Sequence, residues 1–282
     1  MNFGGISLVL TDYDKSPVVI LPVPYDETST WIKGADRGPA AILEASANME
    51  LYDIETDSEV YLRGIHTAPP VDEKSSPDAM VAAVKANVGR FLKDGKFVVT
   101  LGGEHSVTIG AAMAYVEAFP GLSVLQIDAH TDLRQEYEGS KFNHACVMAR
   151  VQEMCPIVQV GIRSMDVTEK PFVQKGRVFF AHEIAGSGGK WIDDVIDLLT
   201  EKVYITIDLD GFDPSIVPAT GTPEPGGLTY YEVISLLRKL IVRKNIVGFD
   251  VVELCPMEHH KASDFLATKL IYQILSYKFM LK

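Results

Sequence analysis

The fold is decided by an apolar run that ends in acidic and histidine residues, Leu122-Ser123-Val124-Leu125-Gln126-Ile127-Asp128-Ala129-His130-Thr131-Asp132. Its first part predicts a buried β-strand. Because side chains alternate along a strand, Asp128, His130 and Asp132 project to one side if the strand continues, and they still converge if the chain turns. Carboxylates with imidazole and no thiolate suit manganese, iron or zinc. The segment therefore predicts a metal site where a strand ends.

Similar runs recur along the chain. They are short, almost continuously apolar and bounded by Gly, Pro or Asp, which is typical of strands buried on both faces of a parallel sheet. They lie at residues 18–23, 97–101, 122–127, 157–162, 178–181, 203–209 and 246–252. Segments with helical spacing lie between them, at residues 80–92, 192–199 and 233–240.

The third helical segment follows Thr229, a candidate N-cap with Glu232 three residues further on. Alternating strands and helices predict an α/β fold, a three-layer helix-sheet-helix sandwich around a mainly parallel β-sheet. No repeat or convincing linker interrupts this order. We therefore expect a single domain over residues 1–282.

The composition excludes several classes of protein. The 282 residues are 47% hydrophobic and 23% charged, as in ordinary globular proteins. The formal net charge of −12 argues against a nucleic-acid partner and is compatible with a cationic substrate. No run approaches the roughly 20 apolar residues of a membrane helix, and the start lacks the features of a signal peptide, so we expect a cytoplasmic protein with no membrane partner. Three cysteines without paired spacing predict reduced thiols.

Candidate metal ligands follow several of the predicted strands. In sheets of this kind, ligands bind at the carboxyl ends of the strands. The candidates are two imidazoles and four carboxylates, namely His105, Asp128, His130, Asp132, Asp208 and Asp210. One ion cannot use all six and keep an open position, whereas two ions about 3.5–4 Å apart can share two carboxylates.

These segments resemble the ureohydrolases, the arginase and agmatinase family. The resemblance rests on motifs spread over nearly the whole chain, which are Pro24-Tyr25-Asp26, Gly102-Gly103-Glu104-His105-Ser106, Asp128-Ala129-His130-Thr131-Asp132-Leu133-Arg134, Thr206-Ile207-Asp208-Leu209-Asp210-Gly211-Phe212-Asp213-Pro214 and Asp250-Val251-Val252-Glu253. One departure is Glu104, where many members carry Asp. Because Glu104 is not expected to contact a metal, we expect the consequence to be small.

The resemblance implies an arginase-like fold, two manganese ions per subunit and assembly as a homotrimer or homohexamer. One ion would take His105, Asp128, Asp132 and Asp208, and the other would take His130, Asp128, Asp208 and Asp210. The family reaction is hydrolysis of a guanidinium group, in which the metals lower the pKa of the attacking water.

The resemblance also assigns roles to residues near the metals. Asp132 would both hold a metal and accept a hydrogen bond from the attacking hydroxide. Glu253 would orient the guanidinium group, assisted by the hydroxyl of Thr222. His144 would lie near the substrate and pass a proton to the leaving amine, a role we expect it to fill without a large pKa shift.

The substrate is predicted from the loops. The segment Leu133-Arg134-Gln135-Glu136-Tyr137-Glu138-Gly139 replaces the short polar loop of arginases, and Gly161-Ile162-Arg163-Ser164 and Asn143-His144-Ala145 resemble agmatinases. These features favour agmatine, giving urea and putrescine in polyamine biosynthesis. Aminopropyl-agmatine, guanidinobutyrate and arginine remain alternatives, and Arg134 is either a partner for a substrate carboxylate or a structural ion-pair residue.

Two further classes of function compete with an enzyme. Gly102-Gly103 after a strand is compatible with a nucleotide-binding loop, but the Gly-x-Gly-x-x-Gly spacing is absent. A catalytically silent subunit predicts the loss of a ligand, and none of the six is missing.

Overall fold

Eight strands form one sheet at the centre of the computed structural model, which describes residues 1–281. They are β1 (Val18–Val23), β2 (Ile65–Thr67), β3 (Phe97–Gly102), β4 (Ser123–Ile127), β5 (Ile157–Ile162), β6 (Val178–Phe180), β7 (Lys202–Asp208) and β8 (Asn245–Val252). The order across the sheet is β2-β1-β3-β8-β7-β4-β5-β6, and all neighbouring strands are parallel.

Helices connect the strands. In residues 1–281 they are α1 (Gly38–Ser46), α2 (Pro77–Lys93), α3 (Val107–Ala118), α4 (Val147–Gln152), α5 (Ala181–Ile184), α6 (Trp191–Leu198), α7 (Tyr230–Arg243) and α8 (Ala262–Met280). No helix in this part of the chain is both long enough and apolar enough to cross a membrane.

The sheet is covered on both faces. Along β1, Val18 and Ile20 belong to one apolar cluster, which includes residues of α1, α6, α7 and α8. Val19 and Leu21 belong to a second cluster, which includes residues of α2, α3 and α4. Because alternate side chains of a strand point to opposite faces, the sheet is the middle of three layers. The predicted three-layer α/β fold is therefore confirmed.

The predicted strands agree with the structure within one residue at each end, and the predicted helices within three. All seven predicted strands are present, as are the three predicted helices, which correspond to α2, α6 and α7. The cap before α7 is also present, since Thr229 Oγ1 accepts the N–H of Glu232 at 3.3 Å and the Glu232 carboxylate accepts the N–H of Thr229 at 2.8 Å. The sequence prediction missed β2 and the remaining helices.

The strand order brings four loops together. The strands β3, β8, β7 and β4 are consecutive neighbours, so their carboxyl ends form one continuous edge. The loop after β3 also approaches the loop after β1 closely: a Cβ atom at Gly103 would overlap the carbonyl oxygen of Tyr25. Only glycine fits there, which explains the Gly-Gly pair that precedes His105.

Candidate metal centre and active site

His105 lies among three of the predicted carboxylate ligands. Its Nδ1 atom is 3.1 Å from Asp128 Oδ2, 3.0 Å from Asp132 Oδ2 and 3.4 Å from Asp208 Oδ2. All four residues are buried, with at most 7% of their surface exposed. Residues from the ends of β3, β4 and β7 therefore meet at one point.

A second group is centred on His130. Its Nδ1 atom is 2.9 Å from Asp210 Oδ2 and 3.6 Å from Asp128 Oδ1. The ligand atoms of His105, Asp128 and Asp132 lie within 4.8 Å of one another, and so do those of Asp128, His130 and Asp210. Asp128 belongs to both groups and directs one carboxylate oxygen to each histidine. This is the position that a bridging ligand between two ions requires.

The electrostatics of the cluster fit bound cations. Burial opposes protonation of the histidines, but contacts with the carboxylates raise the pKa of His105 well above its ordinary value and that of His130 to about 12. Burial and the charge of Asp128 raise the pKa of Asp132 to about 7. Burial also raises the pKa of Asp208 well above its ordinary range, helped by the charge of Asp210. In the absence of metal, the histidines and some of the aspartates of the cluster therefore hold protons, which offset the negative charge of the buried carboxylates.

The donor set also fits a metal. His105 Nδ1 is fully buried and makes no hydrogen bond of acceptable geometry within residues 1–281, although three carboxylates lie at ion-pair distance. A buried ring nitrogen without a hydrogen bond is costly unless it has another partner. Carboxylate oxygens and imidazole nitrogens without thiolate suit manganese, iron or zinc.

Backbone strain is concentrated at two of the predicted catalytic residues. Asp132 has φ +52° and Glu253 has φ +65°, both in the left-handed region that side chains other than glycine rarely adopt. Glu169 stabilises the first of these turns. Its carboxylate accepts the N–H of Leu133 at 2.8 Å and the hydroxyl of Thr131, the two neighbours of Asp132 in the chain. Such strain is frequent at functional sites.

An outer set of polar residues orients the ligand His105. Its Nε2 atom lies 2.9 Å from Thr206 Oγ1, which is 3.3 Å from Thr108 Oγ1. Thr108 in turn donates to Asp250 Oδ2 at 2.9 Å, and Tyr204 donates to the same oxygen at 2.5 Å. These side chains are fully buried. The network fixes which nitrogen of His105 faces the carboxylates, as outer-shell partners of metal ligands do.

Arg163 holds the loop after β7. Its guanidinium group donates to the carbonyl oxygens of Asp210 at 2.6 Å, Phe212 at 3.2 Å and Glu224 at 2.8 Å. In the sequence, Arg163 stands out only as part of a segment that resembles agmatinases. The structure shows that it fixes the backbone of a predicted ligand.

Glu253 and Thr222 lie beside the metal-ligand cluster. Glu253 Oε1 accepts the backbone N–H of His105 at 2.6 Å, and burial raises the pKa of its carboxyl group well above the ordinary range. The Thr222 hydroxyl is 3.4 Å from Asp210 Oδ2 and so faces a predicted ligand. Both residues line the same cavity as the cluster.

His144 also lines this cavity, but our expectation about its pKa is wrong. Burial lowers the pKa of His144 to about 4, and the nearby His130 and His105 contribute in the same direction. The ring is therefore neutral at physiological pH. Sequence alone could not show this. The burial of His144 depends on the fold, and His105 and His130 are not adjacent to it in the chain.

Glu104, the departure from the family pattern, joins two loops of the site, and the small consequence of having Glu there in place of Asp stays a prediction. Glu104 is fully buried and its carboxylate accepts four hydrogen bonds, from the backbone N–H groups of Thr28 and Ser29 and from the hydroxyls of Thr28 and Ser106. It therefore holds the loop after β1 against the loop that carries His105.

The cavity has a volume of about 320 Å³ and is lined mainly by charged, polar and aromatic side chains. Arg134 lies on its wall but is already engaged. It is 3.6 Å from Asp166 Oδ2 and 3.7 Å from Glu169 Oε1, and its guanidinium lies 4.5 Å from the centre of the Tyr137 ring. Of the two predicted roles for Arg134, these contacts support the structural ion pair.

Comparison with known proteins agrees with this geometry. Residues 16–276 match the family model described as the arginase family. An N(1)-aminopropylagmatine ureohydrolase of Synechocystis sp. is 42% identical over 96% of this chain and 92% of its own length. An agmatinase of Pyrococcus horikoshii is 35% identical over 96% of this chain and 95% of its own length.

A solved structure gives the same result. The agmatine ureohydrolase of Thermoplasma volcanium superposes with a TM-score of 0.85 and 32% sequence identity, covering 95% of this chain and 91% of its own. The chain therefore belongs to the arginase family, and it is a ureohydrolase with the arginase fold. The predicted family and enzyme class are confirmed.

Proposed function

We propose that the protein binds two manganese ions and hydrolyses agmatine to urea and putrescine. The observation that carries this proposal is the position of Asp128, whose two carboxylate oxygens face two separate histidine-centred groups in one cavity. The ligands of one ion would be His105, Asp128, Asp132 and Asp208. The other ion would take His130, Asp128, Asp208 and Asp210.

The metal ions supply Lewis acidity when bound, which makes water a sufficient nucleophile at neutral pH. The protein positions the other reactants. Glu253 uses one oxygen to hold the backbone of His105, which leaves its second oxygen to accept an N–H of the guanidinium group. Asp132 accepts a hydrogen bond from the attacking water, held in place by its unusual backbone conformation.

His144 moves the proton in this proposal. The water oxygen forms a bond to the guanidinium carbon, and the bond from that carbon to the alkyl nitrogen breaks. The neutral ring of His144 accepts a proton released by the water and transfers it to the departing amine. The second proton of that water also passes to the amine, which leaves as an ammonium group, so that uncharged urea remains. The products are urea and putrescine.

The charges around the cavity favour a substrate with a cationic tail. The carboxylates of Asp166 and Glu169 share the wall with Arg134, which is paired with both. A tail that ends in a carboxylate would have to displace these pairs. This arrangement supports agmatine over guanidinobutyrate and arginine.

Aminopropyl-agmatine is a second candidate. It is favoured by the 42% identity to a relative named for that substrate, against 35% for the agmatinase. Trp31 and Met165 line the cavity and are exposed, so they offer apolar surface to a longer tail. Both candidates share the same reacting group and a cationic tail, and aminopropyl-agmatine has the longer tail with one more amine.

The test is a urea-release assay on manganese-loaded enzyme. Agmatine, aminopropyl-agmatine, guanidinobutyrate and arginine are compared by kcat/KM. We expect the two polyamine-type guanidines to exceed the two carboxylate-bearing ones. No urea from any of the four would overturn the proposal, and a preference for arginine or guanidinobutyrate would overturn the assignment of the tail. Assembly as a homotrimer or homohexamer stays a prediction, which sedimentation analysis of the same sample would check.

A further inference from the structure

A buried carboxylate lies behind the predicted proton shuttle. Glu104 is on the loop after β3, beside the ligand His105, yet its side chain points to the loop after β1. Glu104 Oε2 accepts the N–H groups of Thr28 at 2.5 Å and Ser29 at 2.8 Å. Its Oε1 atom accepts the hydroxyls of Thr28 and Ser106. A carboxylate with four donors has a single favourable orientation.

Thr28 connects this carboxylate to His144. Its Oγ1 atom accepts the backbone N–H of His144 at 2.9 Å and lies 3.5 Å from the ring atom Nδ1. The second contact is long, as catalytic hydrogen bonds often are before substrate binds. Thr28 is buried and His144 is partly buried, so water does not readily replace either contact.

Counting protons gives the tautomer of His144. A threonine hydroxyl has one proton to donate. Four donors surround Glu104, which favours its ionised form. Thr28 gives its proton to that ionised carboxylate, so the Thr28 oxygen can only accept from His144. The neutral ring then carries its proton on Nδ1, and Nε2 on the opposite edge retains a free lone pair. A base that must accept a proton in the cavity needs this form.

We propose that Glu104 and Thr28 are positioning residues that fix the orientation and the tautomer of His144 through the contact chain Glu104–Thr28–His144. This inference rests on the proposed function, because it assumes that His144 acts on the substrate. A third group that orients a catalytic base is a general device of proton-transfer sites. Here it spans 76 residues of sequence between Glu104 and Thr28 and 116 between Thr28 and His144.

The test compares Thr28→Val with Thr28→Ser in the manganese-loaded enzyme. Valine has nearly the same shape but removes the hydroxyl, whereas serine keeps it. Because misplacing a catalytic group by about 1 Å can cost about 100-fold, we expect Thr28→Val to lower kcat by about 10- to 100-fold. KM should change little, and Thr28→Ser should recover most of kcat.

Thr56→Val is the matched control. Thr56 also donates its hydroxyl to a carboxylate, that of Asp53, at 2.7 Å, but it lies outside the cavity. The Thr56→Val variant should therefore retain the kcat of the unmodified enzyme. Elemental analysis of every variant for manganese separates a loss of metal from a loss of positioning. Glu104→Gln tests the same contact chain at its other end, since an amide cannot accept all four hydrogen bonds.

The decisive measurement is a double-mutant cycle. If Thr28 acts through His144, Thr28→Val should cost nothing further in the His144→Ala background. If the losses of kcat from Thr28→Val and His144→Ala multiplied in the double variant, the inference would be overturned. Loss of manganese from Thr28→Val, or an unchanged kcat in that variant, would also overturn it. These results leave the proposed function intact, whereas absence of urea release by the unmodified enzyme removes both.

Discussion

Replacing Asp128 by asparagine tests the centre of the site. Asp128 Oδ1 accepts the backbone N–H of His130 at 2.5 Å, and Oδ2 accepts the amide of Gln126 at 2.6 Å. An asparagine side chain has one acceptor oxygen, so in either orientation its NH₂ group faces another donor. A buried mismatch of this kind costs about 1–3 kcal/mol. The substitution also removes one negative charge and a carboxylate that lies in both histidine-centred groups.

The expected loss of activity can be estimated from substitutions that affect a metal site less directly. Loss of an outer-shell partner lowers metal affinity or activity by about 10- to 100-fold, so loss of a shared ligand should exceed about 100-fold in urea release. Removing Asp128 relieves repulsion with the neighbouring carboxylates but also removes a partner of His105 and His130, so the metal-free protein should stay folded with a lower melting temperature. The assay combines urea release, elemental analysis and thermal melting.

Asp193→Asn is the control for this prediction. It makes the same chemical change on α6, where the carboxylate pairs with Lys239 and Arg243 at the surface. Exposed ion pairs contribute little to stability, so activity and metal content should be retained. If Asp128→Asn held two ions and turned over substrate at the normal rate, the bridging role would be refuted.

Three further outcomes are expected. Removing manganese with a chelator should abolish urea release and lower the melting temperature; at free metal 100-fold above Kd the stabilisation is about 2.7 kcal/mol, and full activity in chelator would contradict the site. Because the pKa of His144 is lowered to about 4, the ring is neutral above that pH, so His144→Ala should lower kcat by a constant factor from about pH 6 to 9 and by less once the native ring is protonated in acid. A loss that changed with a midpoint near 6.5, the ordinary value for histidine, would refute the lowered pKa. Asp250→Asn should weaken manganese binding by about 10- to 100-fold through Thr206 and His105, and unchanged affinity in a metal titration would remove Asp250 from the network.

The helices show where sequence patterns fail. The predicted helices α2, α6 and α7 each bury one side and expose the other, so their apolar residues recur with helical spacing. In contrast, α3 and α8 are buried on nearly all sides, and apolar residues occur around the whole helix. Without a polar face they have no helical periodicity to detect. The strand β2 was missed for a different reason: it has only three residues at the sheet edge, and His66 in its middle breaks the apolar run.

The metal ligands were easier to find than the residues that support them. A ligand follows a strand end, so His105 and Asp128 can be located from the strand pattern. Glu104, Glu169 and Arg163 resemble ordinary surface residues in the sequence, and only the fold shows that their partners lie far along the chain. Glu169 alone had a local sequence signal among these three, because Asp166 and Glu169 have the spacing of a capping box and form one in the structure.

The buried carboxylates of the site could not be stable together if all of them were ionised and unpaired. Burial of Asp128, Asp132, Asp208, Asp210 and Glu253 in one cavity would be strongly unfavourable if all were ionised without compensation. No lysine or arginine side chain within residues 1–281 forms a salt bridge with any of these five. In the absence of metal the compensation comes from protons on the histidines and on part of the carboxylates, as the direction of their pKa shifts indicates. In the proposed function divalent cations would replace those protons, and the charge that the chemistry requires would also make the buried cluster compatible with the fold.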